Sequence, residues 1–375
     1  MLEKGRITVR QLIVLILLTQ IGDLILVYPA VITSYAHQDA WISSLIGIPF
    51  GLLTIWIILR VYKMQPGKSL IEGLFSGLGK WLGALVSIWY LFYFLILTAT
   101  VTREAGDFLT TQIIINTPLR IVHLLFVLIL IWAVSHGIES LARSGELFLP
   151  LVALFVLFLI VFIIPQGDPD RLRPVFGTGL EAIIQGATVT VAYPFGELTA
   201  LLMLLPNTVQ QRHRDKDILI TVVIGSLLLS TIVLISIMVL GPFFTQHNIY
   251  ASFILAQRIS IGNFLERIEA MMATVWIFST FFKGALYFYC FVLGASQFLK
   301  LRSYKPLILP TGMIVFGLAT IIAPNITYYI STIVYYWIDW DITCSTVIPL
   351  FLLMVYYFRS KWGGNRLQNA NSSSD

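Results

Sequence analysis

Charged residues are scarce in this chain. Asp, Glu, Lys and Arg together make up 11% of its 375 residues, whereas a water-soluble globular protein carries about 25%. Hydrophobic residues make up 58%, and the mean hydropathy is +0.87. This balance excludes a water-soluble globule. The net charge of +5 needs no nucleic-acid-binding surface to explain it.

Cysteine and histidine are also rare, which leaves little material for catalysis or metal binding. The two cysteines, Cys290 and Cys344, lie in apolar runs, and we predict that both are free thiols. The five histidines are scattered without the spacing of metal ligands. No Ser-His-Asp, Cys-His or paired-carboxylate arrangement stands out. We therefore expect neither an enzyme nor a metal or cofactor site.

Long apolar runs, in contrast, fill most of the chain. A helix needs about 20 apolar residues to cross a bilayer, and counting such runs gives ten candidate spans, of which the fourth is short. In order they are Thr8 to Ile32, Trp41 to Tyr62, Trp81 to Thr102, Arg120 to Val134, Gly145 to Ile164, Glu181 to Leu205, Ile218 to Gly241, Glu269 to Leu299, Pro306 to Ala323, and Ile326 to Phe358. The sequence therefore predicts an all-α integral membrane protein with ten transmembrane helices.

The positions of the basic residues predict the orientation in the membrane. With the N-terminus in the cytoplasm, seventeen of the 24 Lys and Arg residues fall in cytoplasmic segments, six fall on the opposite side, and Lys283 lies within a span. Both termini are then cytoplasmic. Five spans per half make the second half, about 181–358, an inverted copy of the first, about 8–164. We predict one transmembrane domain over 1–362 and a disordered cytoplasmic tail at 363–375.

Two of the runs carry residues that interrupt a membrane helix. In the sixth, Pro194 lacks a backbone N–H, Gly196 tolerates non-helical dihedrals, and Glu197 places a carboxyl group near mid-depth. Gly22 and Asp23 interrupt the first run in a similar way. Lipid cannot satisfy the freed backbone groups, so each break needs protein or a polar cavity around it. One broken helix in each half predicts a midplane binding site in an inverted-repeat transporter fold.

Each ionisable side chain at the centre of a span raises the free energy of membrane insertion by about 2.5 to 3.5 kcal/mol, so each needs a structural or functional explanation. Asp23 either receives an amine or a cation, or caps the second half-helix. Glu197 contacts a ligand, carries a proton, or ties the broken backbone together. Lys283 occupies the place of a coupling cation, binds a ligand carboxylate, or pairs with Asp23 or Glu197.

Two further features are predicted at the external end of the bundle. A charged cluster ends the third span: Arg103, Glu104 and Asp107. The segment Pro242 to Glu266 is too polar to span the membrane, and its partly amphipathic pattern suits a lid over the mouth of a site.

Four stretches together give the chain a family resemblance. They are Gly22 to Pro29 followed by Asp39-Ala40-Trp41-Ile42, then Leu172-Arg173-Pro174-Val175-Phe176 with Gly179, then Gly196-Glu197, and finally Phe264 to Glu269 leading into Trp276. In this order and spacing, over about 7–361, the chain resembles the B subunit of bacterial spore germinant receptors, in the spore germination permease family.

The resemblance implies the five-plus-five fold of the amino acid, polyamine and organocation transporter superfamily, with helices 1 and 6 broken. It implies residence in the inner membrane of an endospore, beside an A subunit and a lipoprotein C subunit, and the sensing of a small nutrient such as an amino acid or a sugar. Spans one, three, six and eight would form the walls of the pocket. In this chain the implied substrate-binding residues are Gly22, Asp23, Tyr93, Leu97, Tyr193, Pro194, Phe195, Gly196, Glu197 and Lys283.

Lys283 departs from the family pattern, because relatives tend to have a neutral residue there, so ligand identity does not transfer. A lysine that replaces a coupling cation would suit a receptor that works without an ion gradient. The rival hypothesis is a proton-coupled amino acid permease with Glu197 as the proton carrier. A scaffold with a vestigial site is a third alternative.

Overall fold

The computed structural model describes residues 5–258 and 268–371, and this part of the chain is almost entirely helical. Its α-helices, in order, are α1 (Val9–Ile21), α2 (Leu24–Ala36), α3 (Ala40–Met64), α4 (Leu70–Phe108), α5 (Leu119–Ser135), α6 (Gly137–Ile163), α7 (Leu180–Thr190), α8 (Leu201–Leu204), α9 (Arg214–Leu240), α10 (Pro242–His247), α11 (Ala251–Arg258), α12 (Ile268–Phe298), α13 (Lys305–Ile321), α14 (Ile326–Tyr328), α15 (Tyr335–Ile342) and α16 (Ile348–Asn371).

The helices correspond to the ten predicted spans. Within the described residues, seven helical segments are long and apolar enough to cross a membrane, and α1, α5 and α13 are shorter apolar helices. The first span is divided into α1 and α2, and α2 continues into α3 through a short turn. Large apolar side chains such as Trp132, Leu147 and Met313 point outward and are about two-thirds or more exposed. Such a perimeter suits lipid, and the chain is a multi-pass membrane protein.

Both predicted helix breaks are present. Gly22 separates α1 from α2 with a φ of +22°, a region that residues with a Cβ rarely adopt. In the sixth span, α7 gives way to a π-helical turn at Val191–Gly196 and then to a 3-10 turn at Glu197–Ala200. Pro194 lies inside the π-helical turn, where its missing N–H and its ring prevent a regular α-helical ladder.

The last span is irregular in a way that the sequence did not predict. Two π-helical turns, Tyr329–Val334 and Thr343–Val347, flank α15. Helix α16 continues to Asn371 and so extends into 363–375, for which we predict a disordered tail; residues 372–375 of that tail lie outside the described residues.

The two broken spans lie at the centre of the bundle. Helix α12 runs beside α1, α4 and α6, and α3 runs beside α7 and α9. At the end that carries the N-terminus, Ile7 forms a short backbone bridge with Thr208, just after the sixth span. Helices α3, α9 and α12 thus pack against the two broken spans.

One buried carboxylate fixes the loop that leads into the sixth span. Asp39, which is fully buried, accepts hydrogen bonds from the backbone N–H of Phe176 at 2.9 Å and of Thr178 at 3.0 Å. The hydroxyl of Thr178 donates a third bond at 2.7 Å. Gly179, with a φ of +85°, then opens α7. This contact joins the two sequence stretches that flank the first and sixth spans.

Helices α10 and α11 cover the same end of the bundle. The Ser252 hydroxyl donates a hydrogen bond to the carbonyl of Ile25 at 2.6 Å, which ties α11 to α2. The ring of Phe253 meets Phe108 edge-on, with centroids 5.2 Å apart. The described part of the segment predicted as a lid thus packs on α2 and α4, and residues 259–266 of that segment lie outside the described residues.

Candidate functional site

Lys283 joins the two helix breaks. Its Nζ contacts Oδ1 of Asp23 in the break of the first span and Oε2 of Glu197 in the break of the sixth. The lysine is 0% exposed, Asp23 is 6% exposed, and Glu197 is 4% exposed. One ammonium group therefore neutralises part of the charge of two buried carboxylates, and no charge of this triad faces lipid. We refer to these three residues as the triad.

Helix α12 also satisfies backbone groups that the first break sets free. The hydroxyl of Ser279 donates to the carbonyl of Gly22 at 3.1 Å, and the indole N–H of Trp276 donates to the carbonyl of Asp23 at 3.3 Å. The aliphatic part of Lys283 lies directly on Gly22, because a Cβ at Gly22 would be 2.6 Å from Cδ of the lysine. The break, the glycine and the lysine are thus parts of one packed arrangement.

The geometry bears on two of the alternatives that the sequence left open. Asp23 occupies the N-cap position of α2, but its side chain makes no capping hydrogen bond, so the capping interpretation is wrong. Lys283 pairs with both carboxylates rather than with one. The hydroxyl oxygen of Tyr287 lies 3.4 Å from the backbone carbonyl oxygen of Glu197 and 3.5 Å from its Oε2.

A small cavity lies beside the triad, between the two breaks and the last span. Its volume is about 20 Å³, which is enough for about one water molecule. Its walls include four of the predicted residues: Asp23, Leu97, Tyr193 and Glu197. The predicted site residues from the first, third and sixth spans therefore meet at one place.

The other predicted residues surround the cavity at different distances. Gly22 lies under Lys283, and Gly196 lies against the last span, near Asp341. The hydroxyl of Tyr93 donates to Oδ1 of Asp341, and its ring stacks on Trp337 with centroids 5.9 Å apart.

Two predicted residues lie away from the cavity wall. Phe195 points toward α3, where a Cβ at Gly51 would be 2.2 Å from its ring. Pro194 is buried in the π-helical turn and does not line the cavity. Their position indicates that they shape and pack the break.

Several residues near the cavity were not among the predicted site residues. Glu104 was noted only as part of an external cluster, yet it lines the cavity and accepts a hydrogen bond from the Tyr329 hydroxyl. Its neighbours Arg103 and Asp107 form a separate buried ion pair at 2.7 Å. Asp341 was missed, although a carboxyl group in the apolar run Ile326 to Phe358 is itself a signal of a functional or paired residue.

The polar groups of the cavity are mostly hydrogen-bond acceptors. Asp23, Glu104 and Glu197 contribute carboxyl groups to the wall. Within the described residues, Oε2 of Glu104 is buried without a hydrogen-bond donor, and its carboxyl group lies beside that of Asp23. The hydroxyl of Tyr193 already donates to the carbonyl of Val334 at 3.1 Å. A ligand that supplies hydroxyl or ammonium donors would match these groups.

Comparison with known proteins agrees with the architecture and the sequence motifs. The family model described as spore germination protein matches residues 6–328. Spore germination protein KB of Bacillus subtilis is 32% identical over 96% of this chain and 97% of its own length. Spore germination protein YndE of the same organism is 26% identical over 83% of this chain and 85% of its own length.

A solved structure shows the same fold. The crystal structure of MhsT in complex with L-phenylalanine superimposes with a TM-score of 0.69 and 14% sequence identity, covering 94% of this chain and 89% of the other. The likeness confirms a LeuT-type transporter fold, and neither comparison points to an enzyme family. With residues 6–328 matched by the family model and a relative 32% identical over almost the whole chain, this chain belongs to the spore germination protein family.

Proposed function

We propose that this chain is the B subunit of a spore nutrient germinant receptor, which binds a small nutrient between the half-helices of the first and sixth spans. The observation that carries the proposal is the triad. Lys283 places a permanent cation between the two breaks, at the position where discontinuous helices of transporters hold a coupling ion. A receptor built in this way needs no ion gradient to hold its site together.

The triad also bears on the rival function, a proton-coupled permease. Glu197 is 4% exposed and in contact with Lys283. Protonation of Glu197 would leave Lys283 paired with Asp23 in a triad without net charge, so the buried ammonium group keeps a partner. Glu197 could therefore serve as the proton carrier of a permease, whereas a receptor needs it only as a tie between the two breaks, and a measurement of uptake separates the two functions.

The cavity supports a coupling between nutrient binding and movement. A cavity of about 20 Å³ cannot hold an amino acid or a sugar, so binding requires wall residues such as Tyr193 and Trp337 to move. Binding shifts a conformational equilibrium only through different affinities for the two states. A nutrient that fits only after the wall residues have moved binds the open state more tightly than the closed state. The carboxylate-rich wall favours nutrients that present several hydroxyl or ammonium donors.

Family membership supports the wider setting of the proposal. KB and YndE of Bacillus subtilis are named as spore germination proteins. We propose that this chain resides in the inner membrane of the spore, with both termini in the cytoplasm as the basic residues predict, and that A and C subunits receive its signal.

Binding and uptake by the full chain in proteoliposomes test the proposal. We expect saturable binding of at least one member of a panel of amino acids and sugars, without accumulation of that nutrient inside the vesicles. Uptake driven by a proton gradient, abolished in a Glu197→Gln variant that still binds, would establish the permease instead. Binding of no panel member would also contradict the proposal.

A further inference from the structure

Two cavities lie one after the other along the same pair of helices, α3 and α9, away from the triad. The first is a groove of about 630 Å³ between 49–56 of α3 and 219–224 of α9. All of its lining side chains are apolar, and Leu53 and Ile224 are about half exposed. We call it the α3–α9 groove. On a membrane protein, such a groove faces the acyl chains of the bilayer.

The second cavity continues from the first toward the end of the bundle that carries the N-terminus. It has a volume of about 390 Å³ and is lined by the end of α3, Pro66 and 210–216. Its basic residues are Lys63, Arg212, Arg214 and Lys216, with His213 beside them. We call it the basic cradle.

The basic cradle has more positive charge than its own side chains neutralise. Asp215 is the acidic residue in its wall; it pairs with Lys63 at 2.6 Å and with Arg214 at 3.3 Å. The N-terminus of α9, a 27-residue helix, also lies here, and its N-cap residue His213 makes no side-chain capping bond. The free amides and the helix dipole add to the attraction for an anion.

Arg214 is an unusual member of the cradle because its side chain is only 8% exposed. Its guanidinium group lies over the ring of Tyr62, 5.0 Å from the centroid. Within the described residues, Nη1 of Arg214 is buried without a hydrogen-bond partner. A buried N–H group of this kind costs free energy unless an acceptor is supplied, and phosphate oxygens are good acceptors for arginine.

We propose that α3 and α9 bind an anionic phospholipid, with its phosphate in the basic cradle and an acyl chain in the α3–α9 groove. Trp56 in the groove and Lys63 in the cradle are two helical turns apart, about 10 Å along α3, which fits the step from headgroup to acyl chain. Arg60 lies between them, with its guanidinium 4.9 Å from the centre of the Trp56 ring. The apolar groove favours a lipid over a free phosphate ion, and basic pockets between membrane helices are suited to such headgroups.

The bound lipid would touch the part of the fold that anchors the sixth span. The hydroxyl of Tyr62, under Arg214, donates to the carbonyl of Leu205 at 3.2 Å. Leu205 follows α8, the last α-helical turn of the broken span. The site is therefore independent of the nutrient cavity but lies at the end of the same span.

Thermal unfolding of the purified full chain in detergent tests the proposal, with added phosphatidylglycerol, phosphatidylcholine or inorganic phosphate. We expect phosphatidylglycerol to raise the melting temperature and the other two to have little effect. An Arg212→Gln/Lys216→Gln variant, whose substituted residues are both exposed, should bind phosphatidylglycerol about 25-fold more weakly, at about fivefold per basic residue. A Val223→Phe variant, which fills the groove, should also weaken binding of this lipid.

An Arg302→Gln/Lys305→Gln variant is the matched control, because it removes the same charges from exposed positions elsewhere. It should bind phosphatidylglycerol as the wild type does. Equal stabilisation by the two lipids would overturn the proposal, and so would a cradle variant with unchanged binding. Stabilisation by inorganic phosphate as strong as that by phosphatidylglycerol would show a free-anion site and overturn the assignment to a lipid.

Discussion

The ammonium group of Lys283 contacts the carboxylate of Asp23, which lies 260 residues earlier in the chain. The contact joins the middle of an unbroken helix to the break of the first span. Glu197, from the break of the sixth span, meets the same ammonium group. A single side chain thus fixes the relative position of the two discontinuous helices, and the site between them depends on it.

Removal of the lysine should destabilise the protein strongly. Lys283→Met leaves two buried carboxylates without a cation, and loss of one partner of a buried pair typically costs about 3–5 kcal/mol. We expect a clearly lower melting temperature for the purified variant in detergent. Lys305→Met, at an exposed position, serves as the control and should melt like the wild type. An unchanged melting temperature for Lys283→Met would contradict a structural role of the triad.

A methyl group at Gly22 should also disturb the site. In Gly22→Ala the new Cβ would lie 2.6 Å from Cδ of Lys283, and overpacking of this kind costs about 1–3 kcal/mol. Gly67→Ala is a suitable control, because Gly67 also has a positive φ but a Cβ added there would meet no atom of the described residues within 4 Å. Melting curves should show a larger loss for Gly22→Ala. Equal losses would mean that backbone strain alone, and not contact with the lysine, explains the glycine.

Asp39 should hold the loop before the sixth span in its folded conformation. Asp39→Asn removes the charge that three donors from Phe176 and Thr178 share, and hydrogen bonds to charged groups contribute about 1.5–3 kcal/mol. Hydrogen exchange should show faster exchange of the Phe176 and Thr178 amides. Asp170→Asn, at a position that is 77% exposed, should leave these amides protected. Unchanged exchange in Asp39→Asn would show that the loop is held by other contacts.

A larger side chain in the cavity wall should weaken the nutrient response. Leu97 is 1% exposed and lines the cavity, so Leu97→Phe places a ring where the nutrient is proposed to bind. Overpacking by about 1–3 kcal/mol corresponds to roughly a 5-fold to 140-fold higher nutrient concentration for half-maximal germination. Leu124→Phe, at an outward-facing and 45% exposed position, is the matched control. A normal response of Leu97→Phe spores at normal protein level would place the nutrient elsewhere.

The sequence predicted those features that are costly in a membrane. Gly22 marks a break because it adopts a positive φ, and Pro194 marks one because it lacks an N–H. Gly196 keeps α-helical dihedrals, with φ −62° and ψ −44°, so it does not itself break the helix. Asp23 and Lys283 stood out because buried charge needs a partner. Pairing with Asp23 or Glu197 was one of the alternatives for Lys283, but the sequence could not select it, because spacing does not reveal which helices are neighbours in the fold.

Other features left weaker signals. The π-helical turn Tyr329–Val334 contains neither proline nor glycine. The second turn, Thr343–Val347, ends two residues before Pro349, whose ring and missing N–H disturb the hydrogen bond to the carbonyl of Ser345, and this proline was not recognised as a signal of a distorted helix. Glu104 was grouped with Arg103 and Asp107 because the three are close in sequence, but its side chain points to the cavity while they pair with each other. Which way a side chain points from a helix depends on neighbours that one sequence does not show.

Germination of spores that carry Asp23→Asn together with Lys283→Met is the most direct test of the proposed sensing site. The double variant removes the charges of both residues, and Glu197, which loses Lys283 as its partner, keeps its contact with Tyr287. Scored against a panel of amino acids and sugars, and at protein levels equal to the wild type, these spores should lose the response to the native nutrient or change their nutrient preference. Spores that germinate normally with the same preference would contradict the proposal that the triad belongs to the sensing site.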